Sequence, residues 1–84
     1  MTPHVKLYLR CTGYGIEDFV PCEMCGKRAV DIHHINGRGE GKDVISNLMA
    51  LCRDHHNSAH GVGNTYLHPD VMQVLHDEYL KTNQ

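Results

Sequence analysis

The chain has 84 residues, four Cys, eight His, five aromatic rings (four Tyr, one Phe), no Trp and a formal charge of -2. One domain, residues 1-84, fits that length, and a core this small ordinarily needs a disulfide, a metal or a partner chain to hold it. With a mean hydropathy of -0.43 and short apolar runs no spanning helix is expected, and no secretory signal is visible in the start Met1-Thr2-Pro3-His4. The expectation is a cytoplasmic protein, in which Cys binds metal more often than it forms disulfides.

In chain order, His4 to Arg10 alternate apolar and polar residues, which reads as a short strand. Gly13-Tyr14-Gly15 break that pattern ahead of Pro21 and a pair of Cys. Ala29 to Ile35 is rich in β-branched residues and is the best strand candidate. Asn36 to Gly41, with three Gly, forms a loop, and Asn47 to Cys52 returns as a second strand. A helix is expected from Arg53 to about His60, stopped by Gly61 and Gly63. After Pro69, the stripe Val71, Leu75, Tyr79 predicts a C-terminal helix over about 69-81 with that stripe in the core.

Cys22-Glu23-Met24-Cys25 is C-x2-C, and Cys52-Arg53-Asp54-His55 is C-x2-H. Zinc takes four ligands in a tetrahedron, and two ligands two residues apart can come from one turn. Cys22, Cys25, Cys52 and His55 are therefore expected to hold a structural Zn²⁺ at the base of the hairpin. A reactive C-x-x-C redox pair is the rival reading. The missing βαβ context and the second pair count against it. Cys11 is left over as a small buried or surface thiol.

Four more imidazoles, His33, His34, His56 and His60, surround the loop. His56 and His60 stand i, i+4 on the expected helix, about 40° apart around its axis, so one cation can take both. His55 lies about 100° from His56 and is free to face the Cys ligands.

These residues together resemble the HNH endonucleases. The likeness rests on Asp31-Ile32-His33-His34-Ile35, Asn47-Leu48-Met49-Ala50-Leu51-Cys52 and His55-His56-Asn57, with C-x2-C ahead of them. It covers about residues 22-60 and implies an α+β fold: a small ββα-metal domain stapled by zinc, with the C-terminal helix appended. His55 departs from the family's usual fourth Cys, and His33 stands where Asp is common. The His33-His34 pair with His56-x3-His60 is similar to colicin-type DNases, in which three imidazoles bind the catalytic ion.

The resemblance implies a metal-dependent endonuclease acting on DNA and leaving 3′-hydroxyl and 5′-phosphate ends. On it, His34 is the general base, its tautomer set by a carbonyl across the ring, and Asn47 fixes the loop or orients the base. His33, His56 and His60 hold one divalent cation (Mg²⁺, Mn²⁺, Ni²⁺ or Zn²⁺). Adjacent strand residues point to opposite faces, so the roles of His33 and His34 remain interchangeable at this stage.

Arg38, Lys42 and Arg53 are the candidate phosphate contacts, because residues 27-53 sum to +2: Lys27, Arg28, Arg38, Lys42 and Arg53 against Asp31, Glu40 and Asp43. The acidic whole chain is otherwise unlike a nucleic-acid binder. A non-catalytic zinc-stapled DNA-binding or adaptor module is the alternative, and it has no need of His34 or the His triad. A protein partner or a homodimer through the C-terminal helix is compatible with the pattern, and a bacterial or phage-infected cell is the setting in which the family is expected. Asp31 is a candidate acceptor for His33 or a further ligand. His4, His68 and His76 are read as surface or half-buried residues without a role, and Met24, Met49 and Met72 as core fillers.

Overall fold

A computed structural model describes residues 2-63 and 65-82. The chain starts with α1 (Pro3–Thr12), followed by β1 (Asp31–His34), a single 3-10 turn (Ile45–Asn47), β2 (Leu48–Leu51), α2 (Arg53–Ala59) and α3 (Pro69–Thr82). The strands form a two-stranded antiparallel sheet in which Asp31 pairs with Leu51 and His34 with Leu48. Val30 N–H to Leu51 O and Ile35 N–H to Asn47 O extend the ladder by one bond at each end. No helix among the described residues is long and apolar enough to cross a membrane.

The first segment is a helix, contrary to the alternation read in it. Pro3 occupies the first turn and Gly13, at φ +86°, closes the last, its N–H donating to Leu9 O at 2.9 Å. Pro at the start and a left-handed Gly just past the end are the ordinary punctuation of a helix. The inward positions of α1 are His4 and Tyr8, one turn apart. A count of aliphatic residues passes over both.

The sheet carries a core on each face. Met49 and Leu51 pack with Cys22, Cys52, Ile35, Ala59 and Met72, under α2 and α3. Leu48 and Ala50 pack with Ile32 and Tyr8, under α1. Alternation along both strands assigns the two faces. His33 faces the rings of His56 and His60, and His34 faces the ring of His4.

The C-terminal helix forms as expected, but its inward face is not the apolar stripe. Met72 and His76 are fully buried, whereas Val71 and Leu75 are 48% and 41% exposed. The buried carboxylate of Glu23 accounts for that rotation. His76 Nδ1 lies 2.6 Å from Glu23 Oε1 and its Nε2 2.7 Å from Ile45 O. Tyr8 donates to the other Glu23 oxygen at 2.5 Å, as does Ala50 N–H at 3.3 Å. Both partners of His76 are acceptors, so both ring nitrogens carry protons and the ring is an imidazolium. The residue between two Cys of the sequence pair thus ties α1, β2 and α3 together.

Candidate active site and metal centres

Cys22 and Cys25 sit on the tight turn before β1, and Cys52 and His55 at the start of α2. Ligand atoms of all four lie within 4.8 Å of one another. Cys25 Sγ is 3.7 Å from Cys52 Sγ, and His55 Nδ1 is 3.3 Å from Cys52 Sγ and 3.7 Å from Cys22 Sγ. A tetrahedral Zn²⁺ with its usual bond lengths requires S–S edges of about 3.8 Å and N–S edges of about 3.5 Å. The cluster fits such an ion, and the three thiols form no disulfide. Burial pushes the Cys52 thiol up, but hydrogen bonds from His55 and the neighbouring thiols outweigh it and bring the pKa to about 7, close to the thiolate a metal needs. Cys11 is exposed and apart from the cluster.

On the same face of the hairpin, His33 from β1 meets His56 from α2 and His60 at its C-terminus. Their ligand nitrogens also lie within 4.8 Å, with His56 Nε2 3.1 Å from His60 Nε2. Nitrogens at the usual zinc distance stand about 2.9 Å apart in octahedral and 3.4 Å apart in tetrahedral coordination, so a divalent ion fits between them. The helical spacing of α2 separates the two sites: His55 turns to the thiols while His56 and His60 face β1. Burial first, and then the charges of His56, His60 and His34, bring the His33 pKa down to about 4. Burial also lowers His56, with Asp31 opposing and His60 and Arg53 adding to the shift. Neutral imidazoles are the ligand form. Asp31 Oδ2 lies 3.7 Å from His56 Nε2, and its charge also bears on His33.

Both His33 and His34 line one cleft of ≈ 310 Å³, together with Asp31, Arg38, His56 and His60. The pleat does send the two side chains to opposite faces. They meet at the cleft because β1 ends at His34 and the chain turns there. A second crevice, lined by His4, His34, Arg38 and Asp43, joins the first at His34 and Arg38.

The His34 ring meets the Asp43 carboxylate, with Nε2 to Oδ1 at 2.7 Å, where the resemblance implies a carbonyl. His4 packs on the same ring at 4.5 Å between centroids and is itself buried. The sequence reads His4 as a surface or half-buried residue without a role, which its burial corrects, and does not mark Asp43. Asp43 lies nine residues from His34 in a loop with no period, and the inward face of α1 was hidden by the strand reading.

Asn47 ends the 3-10 turn just before β2 and is 6% exposed. Its Oδ1 accepts from Asn36 N–H at 2.8 Å, and its Nδ2 donates to Lys42 O at 2.9 Å and Gly37 O at 3.2 Å. It therefore pins the loop that carries Arg38 and Asp43. Gly37 turns this loop at φ +87°, a conformation that side chains resist. Of the candidate phosphate contacts, Arg38 lines both clefts and Arg53 bears electrostatically on His56. Lys42 serves the loop through its carbonyl, and its side chain is exposed.

A two-stranded hairpin followed by a helix, a Cys3His cluster at its base and a separate imidazole cluster on its face define a ββα-metal domain. A family model described as "Putative HNHc nuclease" matches residues 11–84, and the chain belongs to this HNH nuclease family. It is also 43% identical over 46 residues to a protein of Escherichia coli (strain K12) designated "Uncharacterized protein YdfU". That match covers 48% of this chain and 13% of the relative, so the chain corresponds to a small part of that protein. No solved structure matches the chain.

Proposed function

We propose that the chain is a metal-dependent endonuclease that hydrolyses DNA phosphodiester bonds and leaves 3′-hydroxyl and 5′-phosphate ends. The observation that carries this reading is the convergence of three imidazoles in one cleft with a fourth, His34, held by a carboxylate. In this reading His33, His56 and His60 hold one divalent cation (Mg²⁺, Mn²⁺, Ni²⁺ or Zn²⁺), and Cys22, Cys25, Cys52 and His55 hold a structural zinc. When bound, the catalytic cation supplies positive charge for the phosphate and for the leaving oxygen.

His34 is the general base. It takes a proton from an attacking water, whose oxygen forms the new bond to phosphorus. The bond from phosphorus to the 3′ oxygen breaks with its electron pair on that oxygen, which is protonated from solvent. Asn47 contributes by fixing the loop of Arg38 and Asp43, while Arg38, Arg53 and Lys42 contact phosphates.

A non-catalytic DNA-binding module would leave the His34–Asp43 pair and the imidazole trio without a task. The deciding experiment incubates supercoiled plasmid with wild-type protein or His34→Ala and each cation in turn. The wild type should nick at least about a hundredfold faster, the usual scale of general-base catalysis. Equal rates under every cation would remove the nuclease reading.

A further inference from the structure

We propose that His4 and Asp43 are positioning residues for His34, Asp43 fixing the Nε2–H tautomer and the His4 ring setting its plane, so that Nδ1 is the atom that accepts the proton of water. The inference rests on the nuclease reading and names two residues and one nitrogen within it.

The Asp43 carboxylate lies 2.7 Å from His34 Nε2. An ionised carboxylate can only accept, so Nε2 carries the hydrogen, and in a neutral ring the lone pair is then on Nδ1. Once Nδ1 has taken a proton, the ring is a cation with the carboxylate directly against it. That contact is stronger with the protonated ring than with the neutral one, so it favours the proton-transfer step over the resting state.

A carboxylate contact at one edge leaves the ring free to swing about its own hydrogen bond. The His34 side chain is 5% exposed, and the neighbour across its plane is the ring of His4, with centroids 4.5 Å apart and planes at 50°. His4 itself is buried between α1 and the loop, and burial, followed by His34 and Arg38, lowers its pKa. The lowered pKa disfavours a second charge on His4 beside the protonated base, with Asp43 and Asp31 opposing that shift. His4 lies ahead of residues 11–84, the stretch matched by the family model, so this contact belongs to the N-terminal helix of this chain. The crevice between α1 and the loop meets the imidazole cleft at His34 and Arg38, so the base lies where both open.

The test uses the full zinc-loaded chain with Asp43→Ala, Asp43→Asn, His4→Ala and His4→Phe. Asp43 is 53% exposed at its side chain, so its variants should fold. Asp43→Ala should lower kcat by about ten- to a hundredfold with KM within about threefold, and Asp43→Asn, which can accept but carries no charge, should fall between. His4→Ala should lower kcat about tenfold, and His4→Phe, which keeps a ring face, should stay within about threefold of wild type. Nitrogen-15 shifts supply the readout that a merely structural role would not move: protonated Nε2 and bare Nδ1 in the wild type, mixed tautomers in Asp43→Ala.

Unchanged tautomers in Asp43→Ala, or a His4→Phe protein as slow as His4→Ala at equal thermal stability, would overturn the proposal. If the wild type cuts no DNA, the nitrogen shifts still decide the orientation of His34, and the failure falls on the nuclease reading.

Discussion

Replacing Asn47 by Ala removes one acceptor and one amide that together serve three main-chain groups: Asn36 N–H, Gly37 O and Lys42 O. A net hydrogen bond contributes about 1 kcal/mol, and stranded partners add to the loss, so the substitution should cost about 2–4 kcal/mol. Total stability for a domain of this kind is only about 5–15 kcal/mol, and the melting temperature should fall by about 10–20 °C. Asn47→Asp is the sharper probe. It keeps an acceptor for Asn36 but sets an oxygen against the carbonyls of Gly37 and Lys42, so it should be at least as destabilising as Ala. Urea unfolding of the zinc-loaded protein measures both. Plasmid nicking should fall by more than the unfolded fraction, because the loop carries Arg38 and Asp43. An Asn47→Asp protein within about 0.5 kcal/mol of wild type would refute the account of the amide as a two-carbonyl clamp.

Removing the metal from the Cys3His cluster should collapse the fold, since the binding free energy of a structural zinc is largely folding free energy. Circular dichroism before and after strong chelation measures this, with metal analysis expected to give about one tightly held zinc per chain; helical, metal-free protein would contradict it. Burial pushes the His76 imidazole down, but the bond and charge of Glu23 outweigh it, so its pKa stands above the ordinary value. The resulting stability is complete below about pH 6.5 and is lost as pH rises through the raised folded value. His76→Gln should therefore cost about 3 kcal/mol at pH 6 and less at pH 9, read as the gap in melting temperature from wild type. A gap that stays constant over that range would count against the imidazolium. For DNA binding, Arg38→Ala and Lys42→Ala should each reduce the slope of log affinity against log salt by about 1 if the side chain neutralises a phosphate.

The parts of the molecule legible in the sequence are those where spacing alone dictates geometry. Two ligand pairs with a gap of two residues, an i, i+4 pair of imidazoles and a β-branched run before a Gly-rich loop each have one economical arrangement, and the hairpin and α2 take it. The misreadings share a different cause. In α1 and α3 the inward face includes a buried histidine, His4 beside Tyr8 and His76 beside Met72, so a pattern of aliphatic residues either hid the helix or rotated its face. Those side chains can be buried because partners distant in sequence satisfy them: Glu23 is 53 residues from His76 and 15 from Tyr8. Asp43 was unreadable for a related reason. A loop carboxylate finds its imidazole through the fold, and no local spacing marks it.

The charge balance follows from the same pairing. A formal -2 counts every His as neutral and every carboxylate as free. In the fold, Glu23 is buried against the His76 imidazolium, Asp43 is held at His34, and Asp31 lies beside His56. Asp70, Asp77 and Glu78 are on α3, which packs on the 3-10 turn. Arg38 remains exposed at the cleft, with Arg53 exposed on α2 and Lys42 on the loop, and a divalent cation among His33, His56 and His60 would add two charges there. Asp31 shares the cleft with Arg38, so the positive charge that a phosphate meets there rests on Arg38 and on the cation that the imidazoles would hold.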